Sequence, residues 1–401
     1  MKYSLDDIVE IISGGTPKTG IKEYWDGEIP WISIKDITSS SNKIQNTEKY
    51  VTRLGVENSS TNILKEGDII LTARGTVGEV GRIVKPMAFN QSCFGLRAKT
   101  GIVTSDFLYY KLKTIMKNIK NHSHGSVFNT INRETFKHIF IDLPSLEEQK
   151  RIGNILTALD DKIELNNQMN QTLEEIASLF YKRWFVDFEF PDDKGKPYKS
   201  SGGEMVDSEL GMIPKGWKVK ELGEISEKII TGKTPSTKDS KNFGEGTPFI
   251  TIPDMYRKVF TDKTVRHITN YGRKKIQNKL IPKNSVLVSC IATPGLVSIT
   301  SKESITNQQI NSIVCKKQNL YFIYETLLSL KEYIILLGSG GSTTLNLNKS
   351  DFSKISICYA ENRINKVFYE LCDYIFNQIY ENQFEIIKLE NMKEELLKEL
   401  L

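Results

Sequence analysis

Apolar residues recur along one stretch at alternating spacings of four and three: Ile152, Leu156, Leu159, Ile163, then Leu173, Ala177 and Phe180. Asn166 and Asn170 occupy the two seam positions in the middle. That period predicts a long helix with a narrow apolar face, and the asparagines predict a polar layer within it. Ser145, with Glu148 three residues on, reads as a capping box at its start. The same pattern returns as Ile364, Phe368, Leu371, Ile375, Gln378 and Asn382, with Leu389 and Met392 further on. Elsewhere the period is two. Trp31-Ile-Ser-Ile34 and Phe249-Ile-Thr-Ile252 alternate as half-buried strands. Asp68-Ile-Ile-Leu-Thr72 and Ser285-Val-Leu-Val-Ser289 are short β-rich runs, and Gly75-Thr-Val-Gly78 supplies turn chemistry. Residues 107–120 and 322–336 read as helices.

These elements come in pairs because the chain repeats itself. Pro30, Ile32, Ile34 and Asp36 match Pro248, Ile250, Ile252 and Asp254. Thr16-Pro17 matches Thr234-Pro235, Gly78 matches Gly295, Asn90-Gln91 matches Asn307-Gln308, and Gly125-Ser126 matches Gly341-Ser342. Phe136 matches Phe352, and Arg151-Ile152 matches Arg363-Ile364. The order never breaks, so the chain divides into a mixed α/β domain (1–145), a helix (146–190), a linker (191–215), a second mixed α/β domain (216–360) and a second helix (361–401). The expected fold is α+β, with two homologous domains in a pseudo-twofold arrangement joined by two long antiparallel coiled-coil helices. Packed antiparallel, Asn166 faces Asn382 and Asn170 faces Gln378, so the polar groups satisfy one another. The alternative places the asparagines at a wet edge of the seam.

Charge sharpens the division. The net charge is +5, and it is uneven. Residues 217–360 carry 21 Lys and Arg against 11 Asp and Glu, and the first domain is also basic, whereas both helices are acidic. Basic domains suit a polyanionic partner. Tyr333-Ile-Ile-Leu-Leu337 is far too short to span a bilayer, and MKYSLDDIVE places acids where a signal peptide needs an apolar core. The expected compartment is the cytoplasm, with no membrane partner. The five cysteines form no Cys-x-x-Cys pair and read as free thiols.

Enzyme motifs fail on inspection. Gly232-Lys-Thr234 ends like a phosphate loop, but Glu227 stands where its first glycine belongs. Gly338-Ser-Gly-Gly-Ser342 has a repeat partner, His124-Gly-Ser126, that is not glycine-rich, so a turn is expected. His122 and His124 lack nearby acidic or thiol partners for a metal. No catalytic residue and no metal ligand is expected.

The central region resembles a known family. Leu143-Pro-Ser-Leu-Glu-Glu-Gln-Lys-Arg-Ile152, Leu156-Thr-Ala-Leu-Asp-Asp-Lys-Ile-Glu-Leu165 and Phe180-Tyr-Lys-Arg-Trp-Phe-Val-Asp-Phe188 are similar to the conserved centre of type I restriction–modification specificity subunits. Gly216-Trp-Lys-Val-Lys-Glu-Leu-Gly223 resembles the opening of their second recognition domain. The resemblance implies that each domain reads one half of a split double-stranded DNA sequence. It implies that the helices space the halves and dock two methyltransferase subunits, and that restriction subunits can join. The chain itself then holds no cofactor, S-adenosylmethionine being expected in the methyltransferase. The second copy departs where Tyr359-Ala-Glu-Asn replaces the proline and the glutamate–glutamine pair.

Base reading calls for Arg, Lys, Asn and Gln in a groove, and phosphate contacts for cations and hydroxyls. In the first domain the candidates are Lys18, Thr19, Lys35, Arg74, Thr76, Asn90 and Gln91. In the second they are Lys233, Thr237, Lys238, Tyr256, Arg257, Lys258, Arg273, Lys274, Lys275, Asn307, Gln308 and Gln309. Two readings stand for the repeated Asn-Gln pair: a shared backbone contact or a structural turn. Two rival classes remain for the whole chain: a non-catalytic coiled-coil scaffold, or a fragment of a fused methyltransferase or nuclease.

Overall fold

The computed structural model describes residues 2–39, 42–122, 130–339, 346–360 and 363–401. His124, the Gly125-Ser126 and Gly341-Ser342 match, the side chain of His122, and Glu361-Asn362 lie outside the described residues. The chain forms two compact units, Met1–Leu165 with Ile386–Leu401, and Asn166–Glu385. Each long helix therefore contributes to both units.

The first unit holds a five-stranded sheet in the order Val9–Ser13, Cys93–Ala98, Ile69–Thr72, Val80–Ile83, Lys43–Ile44. Beside it in sequence runs a four-stranded sheet, Lys49–Val51, Trp25–Ile32, Met87–Phe89, Ile63–Leu64. The second unit repeats both. Its five strands are Ser226–Thr231, Ile310–Cys315, Ser285–Ser289, Val297–Thr300 and Phe260–Thr261. Its four are Arg266–Ile268, Phe243–Ile250, Ser304–Thr306 and Leu280–Ile281. Even the parallel pairs recur: Trp31 with Ala88, and Phe249 with Ile305.

The alternating strands stop short of expectation. They end at Ile32 and Ile250, and Ile34 and Ile252 open helices instead. The cause is local. Ser33 donates from its backbone N (2.8 Å) and its hydroxyl (2.6 Å) to the Asp36 carboxylate. Thr251 does the same to Asp254, at 2.8 and 2.6 Å. The other carboxylate oxygen accepts the backbone N–H of Glu48 or Val265, at 3.0 and 3.1 Å. Both aspartates are buried, and these bonds satisfy them where continued alternation would not. This explains why the motif survives in both copies. The helix expected over 322–336 is two, Leu320–Ser329 and Lys331–Gly338.

The central helix spans Leu146–Tyr181 and continues into one π-helical turn, Lys182–Val186. Only half of the expected capping box forms. The Glu148 backbone N donates to Ser145 Oγ at 3.2 Å, but the Glu148 carboxylate is drawn to Arg151, at 2.6 and 2.8 Å. In the first unit Ile152 and Leu156 are buried with Leu396, Leu397 and Leu400 against the same core, and Leu159 and Ile163 are half-buried. Met392, expected on the seam, is exposed.

In the second unit the two helices run in opposite directions. Asn382 Nδ2 donates to Asn170 Oδ1 (2.9 Å), and Asn166 Nδ2 donates to Glu385 Oε2 (2.8 Å). The polar layer is thus buried, but its register differs from the expected pairing of Asn166 with Asn382 and Asn170 with Gln378. Gln378 is exposed and donates along its own helix to Asn382 (3.0 Å). The buried stripe of Arg363–Leu400 is Asn365, Phe368, Cys372, Phe376, Ile379 and Asn382, with Ile364, Leu371 and Ile375 half-buried beside it. The stripe is turned because this helix also packs on Leu320–Ser329, where Tyr321 stacks on Phe376 with ring centroids 4.4 Å apart. Leu173 is half-buried and Ala177 fully buried on the central helix.

The segment read as a linker is folded. Met205–Val206 pairs with Ile213–Pro214, and Phe190 stacks on Tyr198 and Trp217 at 4.6 and 4.9 Å. The five cysteines are free thiols.

Candidate nucleic-acid interface

Three loops of the first domain meet at one end of its strands. The turn after Met87–Phe89 carries Asn90 and Gln91, the loop after Ile69–Thr72 carries Arg74 and Thr76, and the loop after Val9–Ser13 leads to Lys18 and Thr19. Backbone bonds tie them together. The N–H groups of Ala73 and Arg74 both donate to the Ser92 carbonyl, at 2.8 and 3.3 Å, and Gly15 N donates to the Phe89 carbonyl at 2.9 Å. Thr16 Oγ1 donates to Gln91 Oε1. A Cβ on Gly14 would stand 2.0 Å from the Asn90 carbonyl oxygen, so no side chain fits there. Gly75 holds φ at +74° with Ile34 beside it, which brings this loop next to the helix bearing Lys35.

The second domain rebuilds the same junction. A Cβ on Gly232 would stand 2.1 Å from the Asn307 carbonyl oxygen. Thr234 Oγ1 donates to Gln308 Oε1 at 2.6 Å, and Cys290 N donates to the Gln309 carbonyl at 2.8 Å. The repeated asparagine has a structural job. Asn90 Oδ1 accepts from Ser92 N (3.0 Å), and Asn307 Oδ1 from Gln309 N (3.1 Å). Asn307 is only 9% exposed. The structural-turn reading is the one these bonds support.

The tips differ between the copies. Arg74 and Thr76 are exposed, and Arg74 has no side-chain partner among the described residues. Their counterparts are Ile291 and Thr293, with Ala292 at φ +65° in the place of Gly75. Ile291 and Ala292 carry no cation, amide or hydroxyl to single them out in the sequence. The constant offset of 217 between Leu71-Thr72 and Val288-Ser289 leads to them directly.

Not every candidate cation is available. Lys35 is held by Glu48 at 2.8 Å, which raises its pKa. Arg273 is half-buried, 2.8 Å from Glu303 and near Thr247. Lys275 donates to Asp239 (2.9 Å) and to Asn242 Oδ1 (3.1 Å) and lies 4.0 Å from the Tyr271 ring centroid. The hydrogen bond to Asp239 raises Lys275, and the same bond lowers Asp239. By contrast Lys18, Lys233, Lys238, Arg257 and Lys274 are exposed without a side-chain partner among the described residues. Thr19, Thr237, Tyr256, Gln91 and Gln308 are exposed as well, while Lys258 and Gln309 are half-buried. Tyr256, Arg257 and Lys258 follow the helix Ile252–Met255, on a different loop from Lys233 and Lys238.

Among the described residues no group of three or more His, Cys, Asp or Glu is placed to hold a metal ion. No helix there is long and apolar enough to cross a membrane.

Two copies of one mixed α/β scaffold, each ending in a junction of polar loops, define a duplicated recognition protein. The family model for the type I restriction modification DNA specificity domain matches residues 1–175 and 214–391. The chain belongs to the type I restriction–modification DNA specificity family. It is 36% identical over 330 residues to the specificity subunit of the type I restriction enzyme HindI of Haemophilus influenzae, covering 70% of this chain and 72% of that one. It is 31% identical to the MjaIX specificity subunit of Methanocaldococcus jannaschii, covering 99% of this chain and 91% of that one. The fold is similar to the crystal structure of a type I restriction–modification S subunit from M. genitalium, with a TM-score of 0.64 at 16% identity, over 100% of this chain and 96% of that one.

Proposed function

We propose that this chain is the DNA-reading subunit of a cytoplasmic type I restriction–modification complex, each domain reading one half of a bipartite site. The observation that carries this reading is the junction built twice on the same backbone bonds with different side chains at its tip, Arg74 in one copy and Ile291 in the other. A split site needs two readers, and divergence at the tips lets them read different bases. The exposed cations supply phosphate contacts.

The two long helices act as an antiparallel coiled-coil spacer between the readers. The central helix has 36 residues, which at about 1.5 Å each is about 54 Å, enough to bridge half-sites roughly 34 Å apart along the duplex. The same helices dock two methyltransferase subunits, and restriction subunits join these. Methyl transfer from S-adenosylmethionine takes place in the partner, and this chain performs no chemistry.

The test is a domain exchange. Replacing residues 217–360 by the matching domain of another family member, in the complete complex, changes one half of the methylated sequence and keeps the other. Methylome sequencing in a host carrying the hybrid reads this out. Change in both halves overturns the one-domain, one-half reading. No salt-dependent shift of any mixed-sequence duplex by the chain with its methyltransferase returns the scaffold alternative.

A further inference from the structure

The second unit contains a cleft of about 280 Å³ between the central helix and the helix Leu320–Ser329. Glu174 and Glu175 line it from the first helix, and Tyr324, Glu325 and Leu328 from the second. Glu175 accepts from Gln171 Nε2 at 3.0 Å. Glu325 is 2% exposed, and no donor or cation reaches its carboxylate among the described residues. A buried carboxylate opening into a cleft without a partner is costly, and native proteins rarely leave one so.

The first unit shows the same place completed. Tyr110 matches Glu325 in the repeat. There the Tyr110 hydroxyl donates to Asp160 Oδ2 at 2.7 Å, and Lys393 Nζ closes on Asp160 Oδ1. Arg82 lies over the rings of Tyr109 and Tyr110, 4.8 and 5.3 Å from their centroids, and donates to Asp106 at 2.6 Å. Acid, aromatic ring and cation are all supplied from within. Among the described residues, the second unit supplies at this place the acids and the ring of Tyr324 but no cation.

We infer that this cleft is the receptor for one arginine or lysine side chain of the docked methyltransferase subunit. The inference rests on the docking role of the helices proposed above. Two carboxylates without bases give the charge complement, and the Tyr324 ring and Leu328 give a wall for a guanidinium face or a methylene stem. An inorganic ion is disfavoured because no group of three ligating side chains is placed for one among the described residues. Burial, and then Glu174 beside it, holds the Glu325 carboxyl up to about 8, so that an arriving cation draws out a carboxylate that the free chain keeps largely protonated.

The test uses the full chain and its purified methyltransferase subunit in a calorimetric titration. E325Q weakens binding on the order of tenfold to a hundredfold, and E174Q weakens it less. The free E325Q chain is expected to melt at or above the wild-type temperature, which separates lost docking from lost folding; E174Q decides the matter if E325Q does not fold. Wild-type affinity in both E325Q and E174Q overturns the inference and leaves the docking role intact. A wild-type chain that binds no methyltransferase overturns both. Stoichiometric Mg²⁺ binding that E325Q abolishes assigns the cleft to an inorganic ion and overturns the inference.

Discussion

The two recognition domains agree where their backbones are constrained and differ where side chains are free. Asp36 and Asp254 cap their helices with the same pair of bonds and accept the matching backbone N–H from the residue just before a later strand. Gly14 and Gly232 press against the same asparagine carbonyl. At the tip, Arg74-Gly75-Thr76 stands opposite Ile291-Ala292-Thr293. Ala292 even keeps the left-handed backbone that Gly75 takes freely, at a cost of about 1 kcal/mol. The lesson is that loop path is held by internal hydrogen bonds and close contacts, and a substitution there breaks the fold. The exposed Arg74 side chain has no side-chain partner among the described residues, so its substitution changes only what the loop can read.

The strongest test of that division strikes the shared part. Gly14→Ala and Gly232→Ala each drive a methyl group onto a carbonyl oxygen, at 2.0 and 2.1 Å. Backbone cannot give way as a flexible side chain does, so each change costs its own domain about 3 kcal/mol. Unfolding followed separately in the two units by hydrogen exchange should show equal losses. If one domain tolerates its alanine, the two junctions are not equivalent and the comparison fails.

A smaller effect is expected from the unshared part. Arg74→Ala removes an exposed guanidinium with no side-chain partner among the described residues, so folding is unaffected. DNA binding by the assembled complex weakens by about 1–3 kcal/mol if the guanidinium reads a base, with preference relaxed at one position of one half-site. Ile291→Ala leaves the base preference of the other half within measurement error. A uniform loss across all sequences in Arg74→Ala would make it a phosphate contact instead. Selection from a randomised duplex pool distinguishes the three.

How much of this was legible follows the same line. The duplication, the capped long helix and the buried asparagine layer were readable because period and offset are one-dimensional. The end of the strand at Ile32 was not, because Ser33 and Asp36 bond across a turn that alternation ignores. The register of the asparagine layer was missed because the seam was read as if one partner helix set it. Tyr321 packs on Phe376 from another side and turns the stripe, leaving Gln378 in solvent. Charge alone could not say that Arg273 and Lys275 are engaged by Glu303 and Asp239 while Lys274 between them is not.

The buried charges of the two units respond to pH in opposite directions, which gives the smallest and most discriminating expectation. In the second unit Glu325 is raised from 4.5 to about 8 by burial and then by Glu174. Tyr324 on its own helix, Tyr181 on the central helix and Cys372 on the last helix also face it, and none carries positive charge. The folded unit keeps a proton that the unfolded chain has released, so its stability is full below about pH 4.5, falls as pH rises, and levels off above about 8. In the first unit Lys113 is lowered from 10.5 to about 8 by burial, then by Lys393, with Arg82 adding to this and Asp160 and Glu79 opposing. Its ammonium donates to Asn42 Oδ1 at 2.7 Å. Here the unfolded chain binds the extra proton, so Lys113 contributes a rise in stability between about pH 8 and 10.5, while the Cys93 thiol, pushed up to about 12 by burial, opposes it from about pH 9. Trp25 and Trp31 lie in the first unit, Trp184 and Trp217 in the second. Urea unfolding of a W25F/W31F variant therefore follows the second unit alone, and a W184F/W217F variant the first. The first variant should lose stability from pH 5 to 8, and E325Q should flatten that slope. In the second, Lys113→Met should make the slope of stability from pH 8 to 10.5 more negative. No loss of stability from pH 5 to 8 in the first variant would mean that the missing cation of the second unit is supplied from within the chain after all.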